Sequence, residues 1–323
     1  MSQSSSSAHG VVLVLIAAML WGTTGTAQSF APAGMSPLWV GALRLVMAGL
    51  FFVLLGRLLR TDSSHRPAPM DWPRMLLCAL CMLTYNMAFF AGLKLTGIGL
   101  GTAVALGSSP VWAGLLQAVI QRRLPGAVWW LGTAIGVVGG FVMTQGKGGD
   151  MSGSLPGLLL CLLAGLAYGA YAVISQPLVL KSGVTRVNAW VFLTAALLSL
   201  PIAAWLGGVP DASARSWAVV VYLGVVATGL SYLCFSTGLR TVSAATSVAL
   251  SKFEPITAFV LSIVVVGEQP GWLAFVGLGM VLLPPELKNA LQLCNATARA
   301  GSLTHGWRDA DCKGLFRPQV LPT

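Results

Sequence analysis

The stretch SPVWAGLLQAVIQRRLPGAVWWLG (residues 109–132) recurs later in the chain as EPITAFVLSIVVVGEQPGWLAFVG (residues 254–277). Each copy places a proline, a proline–glycine pair and a further glycine at the same spacing, at a constant offset of 145 residues. Upstream, Leu20-Trp21-Gly22 recurs loosely as Ala167-Tyr168-Gly169. Each copy holds five apolar segments, and an odd number predicts that the second copy lies upside down in the bilayer. Because secondary transporters are often built from inverted repeats around one central site, the repeat predicts transport.

The composition indicates a membrane protein. Of 323 residues, 56% are hydrophobic and only 9% are charged, whereas a soluble domain carries about 25% charged residues. Apolar runs of about 20 residues are long enough to cross the hydrocarbon core as helices. They predict ten spans, near residues 10–30, 38–56, 73–93, 98–120, 126–144, 154–176, 188–206, 216–237, 243–266 and 270–285. The predicted fold is an all-α membrane protein with ten transmembrane helices as two inverted five-helix repeats. The repeats cover 10–146 and 152–285, followed by a polar tail over 286–323.

The distribution of basic residues predicts the topology. With a cytoplasmic N-terminus, the inner loops hold nine basic residues and the outer loops hold three. The inner residues are Arg57, Arg60, Arg66, Arg74, Arg122, Arg123, Lys181, Arg186 and Arg240, and the outer ones are Lys94, Lys147 and Arg215. This bias follows the positive-inside rule and predicts that both termini are cytoplasmic. The net charge of +10 therefore reflects topology, and we expect no nucleic-acid partner.

Other classes of function lack the residues that they need. All three histidines (His9, His65 and His305) lie outside the predicted spans, which disfavours a buried Ser–His dyad and a histidine metal site. Residues 145–148 (Gln-Gly-Lys-Gly) resemble the end of a phosphate loop. Phe141, however, stands where that motif begins with glycine, and Gly148 stands where it needs serine or threonine. We therefore expect no enzyme, no cofactor and no bound metal, and we expect a gradient to supply the energy.

Three charged residues lie inside predicted spans: Arg44, Lys252 and Glu254. Each costs about 2.5–3.5 kcal/mol at a helix centre on insertion scales, which makes each a functional candidate. Arg44 lies near enough to a helix end to snorkel, and anchoring, pairing and substrate binding all stay open for it. Glu254 lies near the midplane, where it could stay protonated, carry a coupling proton, hold a substrate amino group or form a fixed ion pair. A pair with Lys252 requires an unwound backbone, because residues two apart point about 200° around a helix.

Prolines and polar side chains at mid-depth predict a hinged cavity. Pro110 and Pro255 each remove a backbone hydrogen bond in matching spans, which predicts a hinge in each. Amphipathic residues at the same depth predict a pocket for a small molecule. The predicted lining is Trp21, Tyr85, Asn86, Ser108, Ser109, Tyr168, Tyr171, Ser251, Lys252 and Glu254. Gly132, Gly136 and Gly140 form GxxxG motifs that predict close helix packing, within the chain or in a homodimer.

Several short motifs carry a family resemblance. They are Leu20-Trp21-Gly22-Thr23, Arg44, Ser109-Pro110-Val111-Trp112, Glu254-Pro255 and Gly267-Glu268. On these residues the chain resembles the EamA-type drug/metabolite transporter superfamily across roughly residues 10–285. The resemblance implies a bacterial inner-membrane exporter of metabolites with a central cavity, and it extends to the aromatic-amino-acid exporters. The chain departs from the family at Arg122-Arg123, where Gly-Glu is usual, and in a short tenth span that ends at Pro284.

The sequence therefore predicts a gradient-driven exporter of small metabolites, amino acids first among them, that works by alternating access. Its predicted partners are a small-molecule substrate, a coupling proton and the lipid bilayer, with a homodimer as an open alternative. Two other functions also stay open. Proton-coupled efflux of lipophilic drugs would give broad resistance to cations, whereas a membrane scaffold or sensor would transport nothing and would co-purify with a partner.

Overall fold

The computed structural model describes residues 2–32, 36–59, 69–122, 124–146, 154–211, 213–267 and 269–282. All regular secondary structure in these ranges is helical. The helices are α1 Ser2–Ser29, α2 Pro37–Leu58, α3 Trp72–Thr96, α4 Ile98–Gln121, α5 Ala127–Gly146, α6 Leu155–Ser182, α7 Val184–Leu206, α8 Ala214–Val221, α9 Ser231–Gly238, α10 Ala244–Leu250, α11 Phe253–Leu261 and α12 Trp272–Leu282. Arg123, Glu268 and the predicted polar tail lie outside the described residues.

The predicted spans are present. Eight helical stretches are long and apolar enough to cross a membrane. The fifth and tenth predicted spans contain shorter apolar helices, Ala127–Met143 and Trp272–Leu282. The 11 residues of α12 rise only about 16 Å, in line with the short tenth span expected from the sequence. Ten apolar stretches, with no strand among the described residues, confirm the all-α membrane fold.

Two stretches depart from ordinary α-helix. The eighth span runs from α8 through a π-helical segment, π1 (Tyr222–Leu230), into α9. The ninth span ends in a second π-helical segment, π2 (Ser262–Val266). Within π1, the Thr228 hydroxyl donates to the carbonyl of Leu223, five residues earlier, at 2.7 Å. Such segments are rare and occur frequently at functional sites, and hydropathy alone does not predict them.

Helix contacts recur with the two halves of the chain exchanged. α2 packs against α7, α5 against α12 and α4 against α10, so each pair joins equivalent helices. α6 packs against α3 and α4, and its equivalent α1 packs against α9 and α11. This exchange of partners is expected for two five-helix units related by a pseudo-two-fold axis. The main hydrophobic core accordingly lies between the two halves and draws residues from both.

Single glycines join two pairs of consecutive helices. Gly97 (φ 79°, ψ 156°) links α3 to α4, and Gly183 (φ 81°, ψ 151°) links α6 to α7. Only glycine adopts this backbone region without strain. At the start of α6, the Ser154 N–H donates to the Leu95 carbonyl near the end of α3. These two helix ends are predicted on the same membrane face, so the contact agrees with the alternating topology.

Glycines also bring α5 and α12 together. A Cβ added to Gly139 on α5 would lie 2.9 Å from the Gly277 carbonyl oxygen on α12, so the two backbones are in direct contact. Close packing on α5 therefore occurs within the chain, although Gly139 is not one of the GxxxG glycines. Gly136, which is one of them, makes room for Lys252, because a Cβ there would lie 3.0 Å from the lysine Nζ. The homodimer stays a prediction.

Candidate functional site

Aromatic rings from both halves meet at the centre of the molecule. Trp21 on α1 lies edge-on to Tyr168 on α6, with ring centroids 5.9 Å apart, and to Tyr232 on α9, at 5.1 Å. Tyr85 on α3 extends the group, 5.6 Å from Tyr168. We call these four residues the aromatic cluster. Three of them belong to the predicted lining, and the structure adds Tyr232.

The repeated aromatic–glycine motif explains how these rings converge. A Cβ added to Gly22 on α1 would lie 2.6 Å from the Glu254 carbonyl oxygen on α11. A Cβ added to Gly169 on α6 would lie 2.9 Å from the Ser109 carbonyl oxygen on α4. Each glycine therefore lets its helix touch the proline-containing helix of the other half. The aromatic residue before each glycine then points into the cluster.

Arg44 turns into the molecule and does not snorkel outward. Its guanidinium carbon lies 5.7 Å from the centre of the Phe90 ring, and its Nε atom is buried. Phe90 lies 5.7 Å from Phe89, which lies 5.6 Å from Tyr85 of the aromatic cluster. On the other side, the backbone of Glu254 lies against Gly22, the residue next to Trp21. Arg44 and Glu254, one from each half, therefore border the aromatic cluster.

Lys252 is directed elsewhere. Helix α10 ends at Leu250 and α11 begins at Phe253, so the backbone is interrupted beside Lys252, as pairing with Glu254 was expected to require. The lysine Nζ nevertheless donates to the Thr133 carbonyl on α5, at 3.2 Å. The placement of Lys252 in the pocket lining stays a prediction.

The two symmetric prolines affect their helices differently. In α4 the helix continues through Pro110, and the Leu106 carbonyl accepts a hydrogen bond from the Ser109 hydroxyl at 2.9 Å. Before Pro255 the helix is broken, and the Ser251 carbonyl accepts from the Glu254 N–H at 2.9 Å. Both arrangements satisfy the carbonyl that proline leaves without its helical donor. A hinge at either proline stays a prediction.

The two predicted serines of α4 bond within their own helix. The Ser108 hydroxyl donates to the Ala105 carbonyl at 3.2 Å and packs against Gly165 of α6. The Ser109 hydroxyl, as described above, satisfies the Leu106 carbonyl, and Ser109 is buried. Both serines lie where α4 and α6 touch, so they contribute to the packing between the two halves. Their contact with a substrate stays a prediction.

Tyr171 belongs to a polar network that the sequence did not reveal. Its hydroxyl donates to Asn188 Oδ1 on α7 at 3.2 Å, and Asn188 Nδ2 donates to Ser236 Oγ at 3.0 Å and to the Tyr232 carbonyl at 3.3 Å. Tyr171, Asn188 and Ser236 are fully buried. The sequence did not predict a buried role for Asn188, because its span was predicted to begin at that residue. In the structure α7 begins four residues earlier, at Val184.

Among the described residues, seven buried side-chain polar atoms make no hydrogen bond, and three of them belong to Arg44 or to the predicted lining: Arg44 Nε, Asn86 Oδ1 and the Tyr168 hydroxyl. Asn86 is fully buried, and its Nδ2 donates to the Met82 carbonyl at 2.9 Å. Buried atoms of this kind cost about 1–3 kcal/mol each when unsatisfied, so native structures retain them chiefly where a ligand, water or ion completes the site.

Comparisons with known proteins identify the family. The EamA-like transporter family matches residues 8–145 and again residues 155–283. The uncharacterized transporter YwfM of Bacillus subtilis is 32% identical over 296 residues, covering 91% of this chain and 98% of the relative. The uncharacterized inner membrane transporter YicL of Salmonella typhimurium is 24% identical, covering 83% of this chain and 92% of the relative. A probable terminal-alkyne amino-acid exporter of Streptantibioticus cattleyicolor is 26% identical, covering 66% of this chain and 71% of the relative.

The fold is also found among solved structures. A crystal structure of a protein with 20% sequence identity superposes with a TM-score of 0.74, covering 94% of this chain and 100% of that chain. The resemblance to the aromatic-amino-acid branch stays a prediction. The two family matches together span nearly all of the ten-helix region, and the Bacillus subtilis relative aligns over almost its whole length. On these findings, the chain belongs to the EamA-like transporter family.

Proposed function

We propose that this transporter exports amino acids across the bacterial inner membrane by alternating access, with both termini in the cytoplasm. The observation that supports this most is that Arg44 and Glu254, one from each half, both border the aromatic cluster. An amino acid presents a carboxylate, an ammonium group and a side chain on a single carbon. Arg44 would hold the carboxylate, Glu254 the ammonium group, and the rings of the cluster would contact the side chain.

The chemistry of both protein charges suits this assignment. A guanidinium binds carboxylates through two parallel hydrogen bonds, which are stronger than bonds between neutral groups. A carboxylate accepts hydrogen bonds from an ammonium group, and aromatic faces also attract cations. Charges inside a membrane are costly unless they are paired. A bound zwitterion would give Arg44 a carboxylate partner and Glu254 an ammonium partner, so both protein charges would be paired.

Alternating access would follow from the exchange of helix contacts between the halves. Pro110 lies where α4 meets α6, and Pro255 lies where α11 meets α1. Bending at Pro110 would therefore change the contact of α4 with Gly169, and bending at Pro255 would change the contact of α11 with Gly22. Glu254, when no substrate occupies it, would exchange the coupling proton. The amino-acid exporter among the relatives adds support for the substrate class.

Uptake into proteoliposomes tests the proposal. The purified protein is reconstituted, a pH gradient is imposed, and the entry of a mixed pool of labelled amino acids is compared with protein-free liposomes. We expect uptake above background, and we expect Glu254→Gln and Arg44→Gln to abolish it. Asp71→Asn is the matched control, because Asp71 caps α3 at the surface and asparagine caps as well as aspartate.

Two results would contradict the proposal. Amino-acid flux through Glu254→Gln at the wild-type rate would remove that carboxylate from the mechanism. Absence of amino-acid uptake by folded protein, together with gradient-driven movement of a lipophilic cation such as ethidium, would establish drug efflux instead. If neither compound moves and a partner protein co-purifies, the scaffold hypothesis replaces transport by this chain.

A further inference from the structure

A cavity of about 410 Å³ lies apart from the site described above. One wall is the last part of α1, from Thr23 to Ala27, with Phe30 just past the end of that helix. The opposite wall is α8 from Arg215 onward, with Tyr222, the first residue of π1. Leu261, the last residue of α11, closes the third side. We call this cavity the α1–α8 crevice. Its volume equals that of roughly a dozen water molecules, and most of its wall is apolar, with Ala27, Phe30, Ala218, Val219 and Leu261 among the lining residues.

The crevice faces away from the aromatic cluster. Thr23 and Ala27 are four residues apart, so they share one face of α1, and Phe30 follows just past the end of the helix, where its N–H donates to the Ala27 carbonyl. Trp21 precedes Thr23 by two residues and therefore points about 200° away. The crevice thus opens on the outer face of the helix bundle. Nearby residues of π2 are exposed, Val264 by 75%, and in a membrane-spanning chain such a surface meets lipid.

Two hydrogen bonds define the ends of the crevice. At its deeper end the Tyr222 hydroxyl donates to Thr23 Oγ1 at 2.9 Å. At its outer end Arg215 Nε donates to the Phe30 carbonyl at 2.7 Å. Phe30 is the seventh residue after Thr23 and lies just past the end of α1, so the two ends of the crevice are about 10 Å apart. An apolar slot of this length inside a bilayer suits a segment of hydrocarbon chain better than ordered water, which needs two or more polar partners.

Arg215 adds a charged group at the mouth of the slot. Its side chain is exposed, at the start of α8, where the chain enters the membrane. Arg215 is one of three basic residues in the predicted outer loops. The positive-inside rule, which explains the basic residues of the inner loops, therefore does not explain an arginine at this position. The bond from Nε to Phe30 fixes the guanidinium plane, and a fixed guanidinium is well suited to bind phosphate.

The helix geometry changes at the same place. Helix α8 passes into π1 at Tyr222, and α11 passes into π2 directly after Leu261. Both of these residues line the crevice. Two π-helical segments that begin at one cavity, in two different helices, support a binding role for that cavity, because such segments recur at functional sites.

We propose that the α1–α8 crevice binds one anionic phospholipid, whose phosphate contacts Arg215 and whose acyl chain lies against Ala27, Ala218 and Leu261. The occupant is a lipid because the slot opens towards the bilayer, and it is anionic because the charged group at its mouth is a cation. This site is separate from the substrate site and does not depend on the identity of the transported compound.

Native mass spectrometry of the purified protein tests the proposal, with phosphatidylglycerol and phosphatidylcholine as probes. We expect the wild type to retain one phosphatidylglycerol more tightly than phosphatidylcholine. Arg215→Gln should weaken its retention about tenfold, as expected for the loss of one charge-assisted contact. Arg240→Gln, an exposed arginine on the opposite predicted face, should leave retention unchanged. Ala218→Trp should fill the slot and displace the lipid, whereas Val221→Trp, on an exposed face beside it, should not.

Three results would overturn the inference: equal retention of both lipids by the wild type, unchanged retention by Arg215→Gln, or unchanged retention by Ala218→Trp. The melting temperature of each variant is measured alongside, so that loss of lipid is separated from loss of fold. Arg215→Gln keeps the test valid even if the tryptophan variant misfolds, because the Arg215 side chain is exposed and its replacement removes little packing.

Discussion

Replacing Asn188 with leucine should destabilise the protein. Asn188 is fully buried on α7 and joins Tyr171 of α6 to Ser236 of α9. Its Oδ1 also accepts a hydrogen bond from the Ser236 hydroxyl at 3.2 Å. Leucine has a similar volume but no polar atoms, so the change removes the hydrogen bonds and leaves most of the packing in place.

The expected loss is about 2–4 kcal/mol. Hydrogen bonds between helices in membranes contribute about 0.6–1.7 kcal/mol each, and the variant removes several at once. The hydroxyls of Tyr171 and Ser236 would lose their asparagine partner, and a buried group left unsatisfied costs about 1–3 kcal/mol. Partial pairing between those two hydroxyls keeps the total below the sum. At about 2 °C per kcal/mol for a chain of this size, the melting temperature should fall by about 4–8 °C.

Thermal unfolding in detergent, followed by scanning fluorimetry, measures this loss. Ser199→Ala is the matched control on the same helix, because the Ser199 hydroxyl bonds to the Ala196 carbonyl of its own helix, and it should change stability by less than about 0.5 kcal/mol. Tyr171→Phe in the Asn188→Leu background should recover part of the loss, since it removes one stranded hydroxyl. An Asn188→Leu protein that melts with the wild type would refute the role assigned to this network.

Three further outcomes follow. Gly183→Ala should destabilise the protein by about 1–3 kcal/mol, because the backbone conformation of Gly183 is strained for alanine. Gly56→Ala, in the open interior of α2, should be neutral or stabilise by about 0.5–1 kcal/mol. The melting temperature measures both changes. Gly22→Ala should reduce transport and cost about 1–3 kcal/mol through overpacking against α11, while Gly25→Ala, which has open space around it, should preserve both. Fluorescent-protein and alkaline-phosphatase fusions should show that both termini are cytoplasmic, and an active phosphatase at the C-terminus would reverse that assignment.

Much of the fold could be predicted from the sequence because the bilayer imposes a simple rule on length and polarity. An apolar run of sufficient length becomes a helix whatever surrounds it, since every backbone group must find its partner within the segment. The ten spans therefore lie where hydropathy puts them. Proline positions carried further information, because Pro255 coincides with a broken helix, although Pro110, at the equivalent position, does not break α4.

The site could be predicted only in part. Depth along each span identified Trp21, Tyr85 and Tyr168 as neighbours, and they do meet. Depth does not give the direction in which a long flexible side chain points. Lys252 reaches α5 because Gly136 leaves space for it, and Arg44 turns inward over Phe90. Both directions depend on contacts between helices that are distant in the sequence.

The central claim is that Arg44 and Glu254 recognise the two charges of an amino acid. Its most direct test measures, by isothermal titration calorimetry on the purified protein, the binding of an amino acid, of its N-acetyl derivative and of its carboxamide to the wild type and to each single variant. We expect the wild type to lose affinity for both derivatives. Glu254→Gln should no longer discriminate against N-acetylation, and Arg44→Gln should no longer discriminate against the amide. If both variants keep the discrimination of the wild type, these two residues do not bind the substrate's charges, and the claim is wrong.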